Sequence, residues 1–187
     1  MDNIFFNLQL LKFLGNGAII GKTVRIRKPA QVSIGKGTII DDFTYISGSA
    51  EIGAYCHISP NTTVSGGLGF LKMGNYVGIG PGCSINLSSS DFIKAGLDLP
   101  SAPEELRFGG QCSKVEMEDF VLLGAHTVVL PGTFLPEGFA TAAGTIVRKR
   151  HYEPWTLYGG HNCEKLCMRD NTEFLTHKEK LLASLQD

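Results

Sequence analysis

Aliphatic side chains recur every six residues through most of this chain, and that interval restricts the fold more than any other feature. Ile34, Ile40, Ile46, Ile52, Ile58 and Val64 form the longest early run, each followed by Gly, Asp or Ser. The series resumes as Met73, Ile79 and Ile85, then as Met117, Leu123, Val129, Leu135, Thr141 and Val147. Six residues of α-helix sweep about 600°, which scatters these positions around the cylinder and buries none of them together. In an extended chain six is an even interval, so every marked residue faces the same way. A short fixed period of this kind predicts an all-β solenoid, the hexapeptide parallel β-helix, in which each coil buries its apolar row against the next.

Composition suits that architecture. The chain has 187 residues, enough for one domain, and its 23 glycines supply a turn after each short strand. The net charge of −1 offers no cationic surface for nucleic acid. Ile4 to Leu14 is interrupted by Asn7, Gln9 and Lys12, too short and too polar for a bilayer, and lacks the basic start and cleavage site of a leader. No membrane span and a cytoplasmic location are therefore expected. Five cysteines without CxxC spacing suggest neither a disulfide framework nor a zinc site, and no metal is expected. Cys56 and Cys83 share the fifth repeat position with Val24, Thr44, Thr62, Val121 and Thr127, an inward position that predicts buried thiols.

The chain divides into an N-terminal cap over residues 1–17, the β-helix over 18–160, and a C-terminal segment over 161–187. Two interruptions break the repeat. Val64 to Met73 spans nine residues and contains Ser65-Gly66-Gly67-Leu68-Gly69. From Ser88 to Lys114 the period vanishes, with Pro100, Pro103 and Gly109-Gly110 inside; a long excursion from a rigid scaffold predicts an extruded functional loop, 88–114. Apolar residues at 174, 175, 181, 182 and 185 predict a short amphipathic helix, with Asn171 or Thr172 as its N-cap.

Three segments carry a family resemblance. They are Ile52-Gly53-Ala54-Tyr55-Cys56-His57-Ile58-Ser59, Ser88-Ser89-Ser90-Asp91, and Leu123-Gly124-Ala125-His126-Thr127-Val128-Val129-Leu130-Pro131-Gly132 with Glu153-Pro154-Trp155 and Tyr158-Gly159-Gly160 beyond it. Over residues 18–160 the chain resembles the hexapeptide-repeat acyltransferases, and most of all the sugar acetyltransferases of O-antigen and capsule clusters. The resemblance implies a left-handed parallel β-helix, a homotrimer, and acetyl-CoA as co-substrate in a groove between two subunits. Two departures stand out. Galactoside and maltose acetyltransferases carry a catalytic histidine in the extruded loop, about where Ser90-Asp91 stand, whereas this loop has none. The family's exit segment Gly-Asn-Pro-Ala-Lys is here Gly160-His161-Asn162-Cys163-Glu164.

Acyl transfer from a thioester needs a base, a donor for the oxyanion and an exit for the thiol; histidine is the base suited to neutral pH. His57 lies between inward Cys56 and Ile58, so it points out of a flat face. Three hexapeptides per coil, plus the three extra residues after Val64, place Gly78 beside it on the next coil, with room for a pantetheine arm. His57 is the candidate base, against the plainer reading of a solvent-facing histidine. His126, at a corner, is a surface residue or a contact to sugar or coenzyme. Ser90 and Asp91 are candidates for sugar binding, with Asp91 also able to orient a histidine; the rival for Asp91 is a loop Asx-turn. By resemblance Ala125, Ala143 and Gly144 line the coenzyme site. Arg148, Lys149 and Arg150 are candidates for its phosphates, against a solvated basic turn. Trp155 stacks on adenine or packs under the exit loop. The oxyanion is expected to meet a backbone N–H of the glycine-rich coils.

The resulting functional expectation is an acetyl-CoA-dependent O-acetyltransferase acting on a sugar of a surface polysaccharide pathway. The alternative is an N-acetyltransferase of a nucleotide-linked amino sugar. A γ-type carbonic anhydrase would need three converging histidines, and only His57 and His126 lie within repeats, far apart. A non-catalytic assembly module would not be stabilised by acetyl-CoA.

Overall fold

The computed structural model describes residues 3–185; residues 1, 2, 186 and 187, which fall in the expected cap and tail, lie outside it. The chain winds into a three-faced prism of parallel strands. Phe13–Leu14, Val32–Ile34, Ser49–Ile52, Phe70–Met73, Lys114–Met117 and Phe134–Leu135 stack as the first face. Ile19–Ile20, Ile39–Ile40, His57–Ile58, Gly78–Ile79, Leu122–Leu123, Ala140–Thr141 and Thr156–Gly159 form the second. The third runs from Arg25–Ile26 through Tyr45–Ile46, Thr63–Ser65, Ser84–Asn86 and Val128–Val129 to Ile146–Val147.

The six-residue row is the core. Ile34, Ile40, Ile46, Ile58, Val64, Ile85, Val129, Leu135 and Val147 are fully buried, each against its counterpart one coil away. The fifth positions also point inward, and four of the threonines there close the corner behind them, whereas the buried Thr44 hydroxyl has no partner. Thr62, Thr127, Thr133 and Thr145 each donate from the hydroxyl to the carbonyl three residues earlier, at 2.6–2.8 Å. Burial of the hydroxyl is thereby compensated.

Glycine is obligatory at one corner. Gly15, Gly35, Gly53 and Gly74 lie one above another, and a Cβ on Gly53 would run into the backbone of Gly74. The neighbouring corner position takes large aromatics instead, although its backbone is left-handed. Tyr55, Tyr76, Phe120 and Trp155 have φ of 54, 55, 62 and 49°, a conformation that costs an L-residue about 1–2 kcal/mol. Ring stacking offsets the strain: Tyr55 to Tyr76 is 5.3 Å between centroids, Tyr76 to Phe120 5.2 Å. Trp155 bridges across Gly138 to Phe120 at 6.2 Å. Trp155 therefore packs.

This ladder seats the C-terminal helix, Thr172–Ala183. Phe174 meets the rings of Phe120 and Trp155, each at 4.5 Å, and the Tyr76 hydroxyl donates to the Leu181 carbonyl at 2.8 Å. Asn171 is the N-cap by position, but its side chain makes no capping bond.

Two features depart from the sequence reading. The solenoid already includes Phe13–Leu14, inside the segment expected to be a cap, because these residues pair with Ser33 and Ile34. A third interruption, the 3-10 turn Pro29–Gln31, lies between Ile26 and Ile34. The loop after Asn86 has a neck of its own, Ser88–Ser89 antiparallel to Gln111–Cys112.

Burial raises the Cys56 thiol to about 11, and it raises Cys83 and Cys163 as well. A thiolate is the reactive form. A maleimide applied to native protein is expected to label exposed Cys112 and Cys167 and to spare the other three until denaturant is added. Native labelling of Cys56 would contradict the buried row.

Candidate active site

His57 occupies an outward position on the second face, in register with Ile39 below and Gly78 above. Its side chain is 54% exposed, as an outward position on a flat strand requires. Asp41 follows the inward Ile40 on the coil below, and its Oδ2 lies 2.7 Å from His57 Nε2. A carboxylate only accepts, so Nε2 carries the hydrogen and Nδ1 is left as the acceptor. With both partners this exposed the pair contributes little stability. Its consequence is orientation: one tautomer and one ring direction, with Nδ1 left without a hydrogen-bond partner among the described residues.

From His57 a shallow groove of about 430 Å3 climbs the second face. One side is the column His57, Gly78, Leu122, Ala140 and Leu157; the other is Ser59, Gly80 and Gly124. The space over Gly78, expected to be open, is occupied by the Leu122 side chain, whose Cδ2 lies 2.8 Å from where a Cβ would stand. The expected glycine N–H for an oxyanion is also spoken for. The N–H groups of Gly78, Gly80 and Gly124 donate to Val121, Leu123 and Thr141 carbonyls at 2.9, 2.8 and 3.1 Å. Coil-to-coil pairing consumes these donors before any ligand arrives.

Arg169 reaches the groove from beyond the last coil. Its Nη1 donates to the Gly138 carbonyl at 2.7 Å, and its guanidinium lies 5.6 Å from the centre of the Trp155 ring. Partial burial lowers its pKa. Among the described residues it forms no ion pair.

The other sequence candidates fall in three places. Ala125, His126, Ala143 and Gly144 meet at the corner between the second and third faces, where the Gly144 N–H donates to the Ala125 carbonyl at 2.8 Å. His126 is exposed, with φ 58°, and its ring lies over Gly82. A Cβ on Gly144 would meet nothing within 4 Å, so this corner is open. The basic run does not act as a unit. Arg148 turns toward the His161 carbonyl at 3.5 Å, Arg150 binds the Cys163 carbonyl and lies over Tyr152, and the Lys149 stem runs beside Gly132. Ser90 and Asp91 lie on the extruded loop. Asp91 Oδ1 accepts from the Ile93 and Lys94 N–H groups at 3.1 and 2.9 Å, an Asx-turn. The carboxylate on the histidine is Asp41, not Asp91.

Asp41, the Ser59–Gly80–Gly124 column and Arg169 were absent from the sequence candidates. A signal for Asp41 existed. One 18-residue coil before His57 is Ile39, and Asp41 is the next outward residue, just past the end of that strand. Among the described residues no three His, Cys, Asp or Glu side chains converge as a metal site would require, and no helix is long and apolar enough to cross a membrane.

Residues 31–66 match the bacterial transferase hexapeptide (six repeats) family model. The chain is 28% identical over 139 residues to an Escherichia coli dTDP-4-amino-4,6-dideoxy-D-glucose acyltransferase, covering 70% of this chain and 71% of that protein. Among solved structures it is similar to AntD, an N-acyltransferase from Bacillus cereus in complex with dTDP and 3-hydroxybutyryl-CoA. The TM-score is 0.86 at 26% identity, over 99% of this chain and 100% of that one. A hexapeptide-repeat acetyltransferase from Vibrio cholerae matches at TM-score 0.56 and 20% identity, over 86% and 75% of the two chains, a likeness of fold.

Proposed function

We propose that the chain is a hexapeptide-repeat N-acyltransferase that moves an acyl group from coenzyme A to a nucleotide-linked amino sugar. The observation that carries this reading is the end-to-end likeness to AntD, loop and C-terminal helix included, with a 4-amino-sugar acyltransferase as the sequence relative. Both point to a nitrogen acceptor, so the O-acetyl expectation gives way to its alternative. The loop without a histidine fits the same choice, since a neutral amine attacks a thioester without prior deprotonation.

In this mechanism the thioester carbonyl lies near His57. The sugar nitrogen attacks the carbonyl carbon, the C–N bond forms, and the amine proton passes to His57 Nδ1. The C–S bond then breaks, and the departing thiolate takes that proton. Asp41 holds the ring and balances the imidazolium while it exists. The small-residue column Ser59–Gly80–Gly124 and the open corner at Ala125, Ala143 and Gly144 leave a path for the pantetheine arm. His57 to Leu157 is four strand steps, roughly 19 Å at about 4.8 Å each. That length suits an extended pantetheine with its sulfur at His57 and its diphosphate toward Arg169. Arg148, Lys149 and Arg150, divergent as they are, serve the coenzyme phosphates at most singly. Ser90 and Asp91 act on the sugar as part of the loop, and His126 sits where either substrate passes. We assign a homotrimer, a cytoplasmic location and a surface-polysaccharide role, since nucleotide-linked sugars and CoA thioesters are cytoplasmic precursors.

Purified protein with acetyl-CoA and dTDP-4-amino-4,6-dideoxyglucose is expected to release free thiol and an amide product of the corresponding mass. dTDP-glucose, with a hydroxyl in that place, is expected to give none. An ester from the hydroxyl sugar with no amide from the amino sugar would restore the O-acetyl reading.

A further inference from the structure

The groove on the second face offers few groups for a nucleotide, whereas a larger cleft lies on another edge of the prism. It has a volume of about 660 Å3 and is enclosed by the extruded loop, the Gly67-Leu68 insertion and the end of the Arg25–Ile26 strand. Three cations enter it: Arg27 and Lys28 from the coil side and Arg107 from the loop. Arg27 is exposed and, among the described residues, has no carboxylate partner. Lys28 Nζ donates to the Gly67 carbonyl at 2.9 Å, which leaves its other two protons free. Arg107 meets only Glu104, at 4.0 Å, and that carboxylate is 93% exposed.

We propose that this cleft binds the diphosphate of the nucleotide-linked acceptor; the assignment rests on the acyltransferase reading above. Two adjacent phosphates carry charge to match Arg27 and Arg107, which line the cleft from the coil and from the loop, and Lys28 adds a third donor set. Gly67 is open on its outer side, so the backbone there can approach a phosphate, whereas the Asp98 side chain covers Gly110. Phe108, 60% exposed, and Leu68, 84% exposed, are apolar surfaces that suit the flat face of a base. Asp98 and Glu104 on the rim are acceptors for ribose or sugar hydroxyls rather than phosphate ligands. The size lies within the ordinary range for a small-molecule site. The loop leaves the third face and rejoins the first, an edge that does not border the second face. A sugar held here therefore meets the His57 groove of a neighbouring copy in the trimer proposed above.

The test is calorimetric titration of the full chain with dTDP, and separately with acetyl-CoA, for wild type, Arg27→Glu and Arg107→Glu. Each charge reversal is expected to weaken dTDP binding by about tenfold or more while acetyl-CoA affinity stays within twofold, the second titration reporting an intact fold. Wild-type affinity for dTDP in both variants would overturn the cleft assignment and leave the acyltransferase reading standing. A wild-type protein that binds acetyl-CoA but neither dTDP nor the dTDP-amino sugar would overturn that reading and the cleft with it.

Discussion

Gly53→Val is expected to abolish the folded solenoid. Gly53 sits in the corner column with Gly35 below and Gly74 above, and any Cβ there would overlap the Gly74 carbonyl. The obstacle is backbone on the next coil, which can move only by parting the two coils. Separation would also break the ladder between Ser49–Ile52 and Phe70–Met73 and open the row beneath Ile52. The expected cost is about 4–5 kcal/mol or more, the range reserved for substitutions that defeat the fold. Gly144→Ala is the matched control. Its φ of 70° penalises a side chain, but nothing lies within 4 Å of the new Cβ, so it should cost only about 1–2 kcal/mol. Circular dichroism and thermal melting of both variants decide the matter; a Gly53→Val protein melting within a few degrees of wild type would contradict the coil stacking.

His57→Ala is expected to lower kcat/KM toward the amino sugar by about 10²-fold, the low end of what a positioned general base supplies. The low end applies because an amine needs its proton removed after attack rather than before. Asp41→Asn should give a smaller loss, about tenfold, because the imidazole remains but its tautomer and direction are no longer fixed. Acetyl-CoA affinity is the companion measurement, and it should be unchanged in both. Turnover of His57→Ala within twofold of wild type would remove the base from the mechanism and leave the groove as a positioning surface alone.

Much of this architecture was legible because the repeat is a counting rule. Ile58, Val64, Cys56 and Cys83 could be assigned inward by adding six, and Gly78 could be put beside His57 by adding eighteen and the three inserted residues after Val64. The first coil followed the same rule, since Leu14 lies six residues before Ile20; reading 1–17 as a cap ended the row too early. What resisted counting were contacts across columns and around corners. Asp41 reaches His57 diagonally, and Leu122 leans over Gly78 only once the loop has been excised from the register. The divergence of Arg148, Lys149 and Arg150 depends on where residues 161–163 run after the last coil, which no repeat specifies. Asp91 shows the opposite failing: a polar loop residue attracts a functional reading, while its oxygen is committed to Ile93 and Lys94.

The claim on which the chemistry depends is that the thioester is held over the second face beside His57. A crystal of this protein grown with coenzyme A tests it in a single observation. The sulfur is predicted within about 4 Å of His57 Nδ1, with the pantetheine running past Gly80 and Gly124 toward the Arg169 end. A coenzyme whose sulfur lies on the first or third face, with His57 still paired to Asp41 and exposed to solvent, would contradict it.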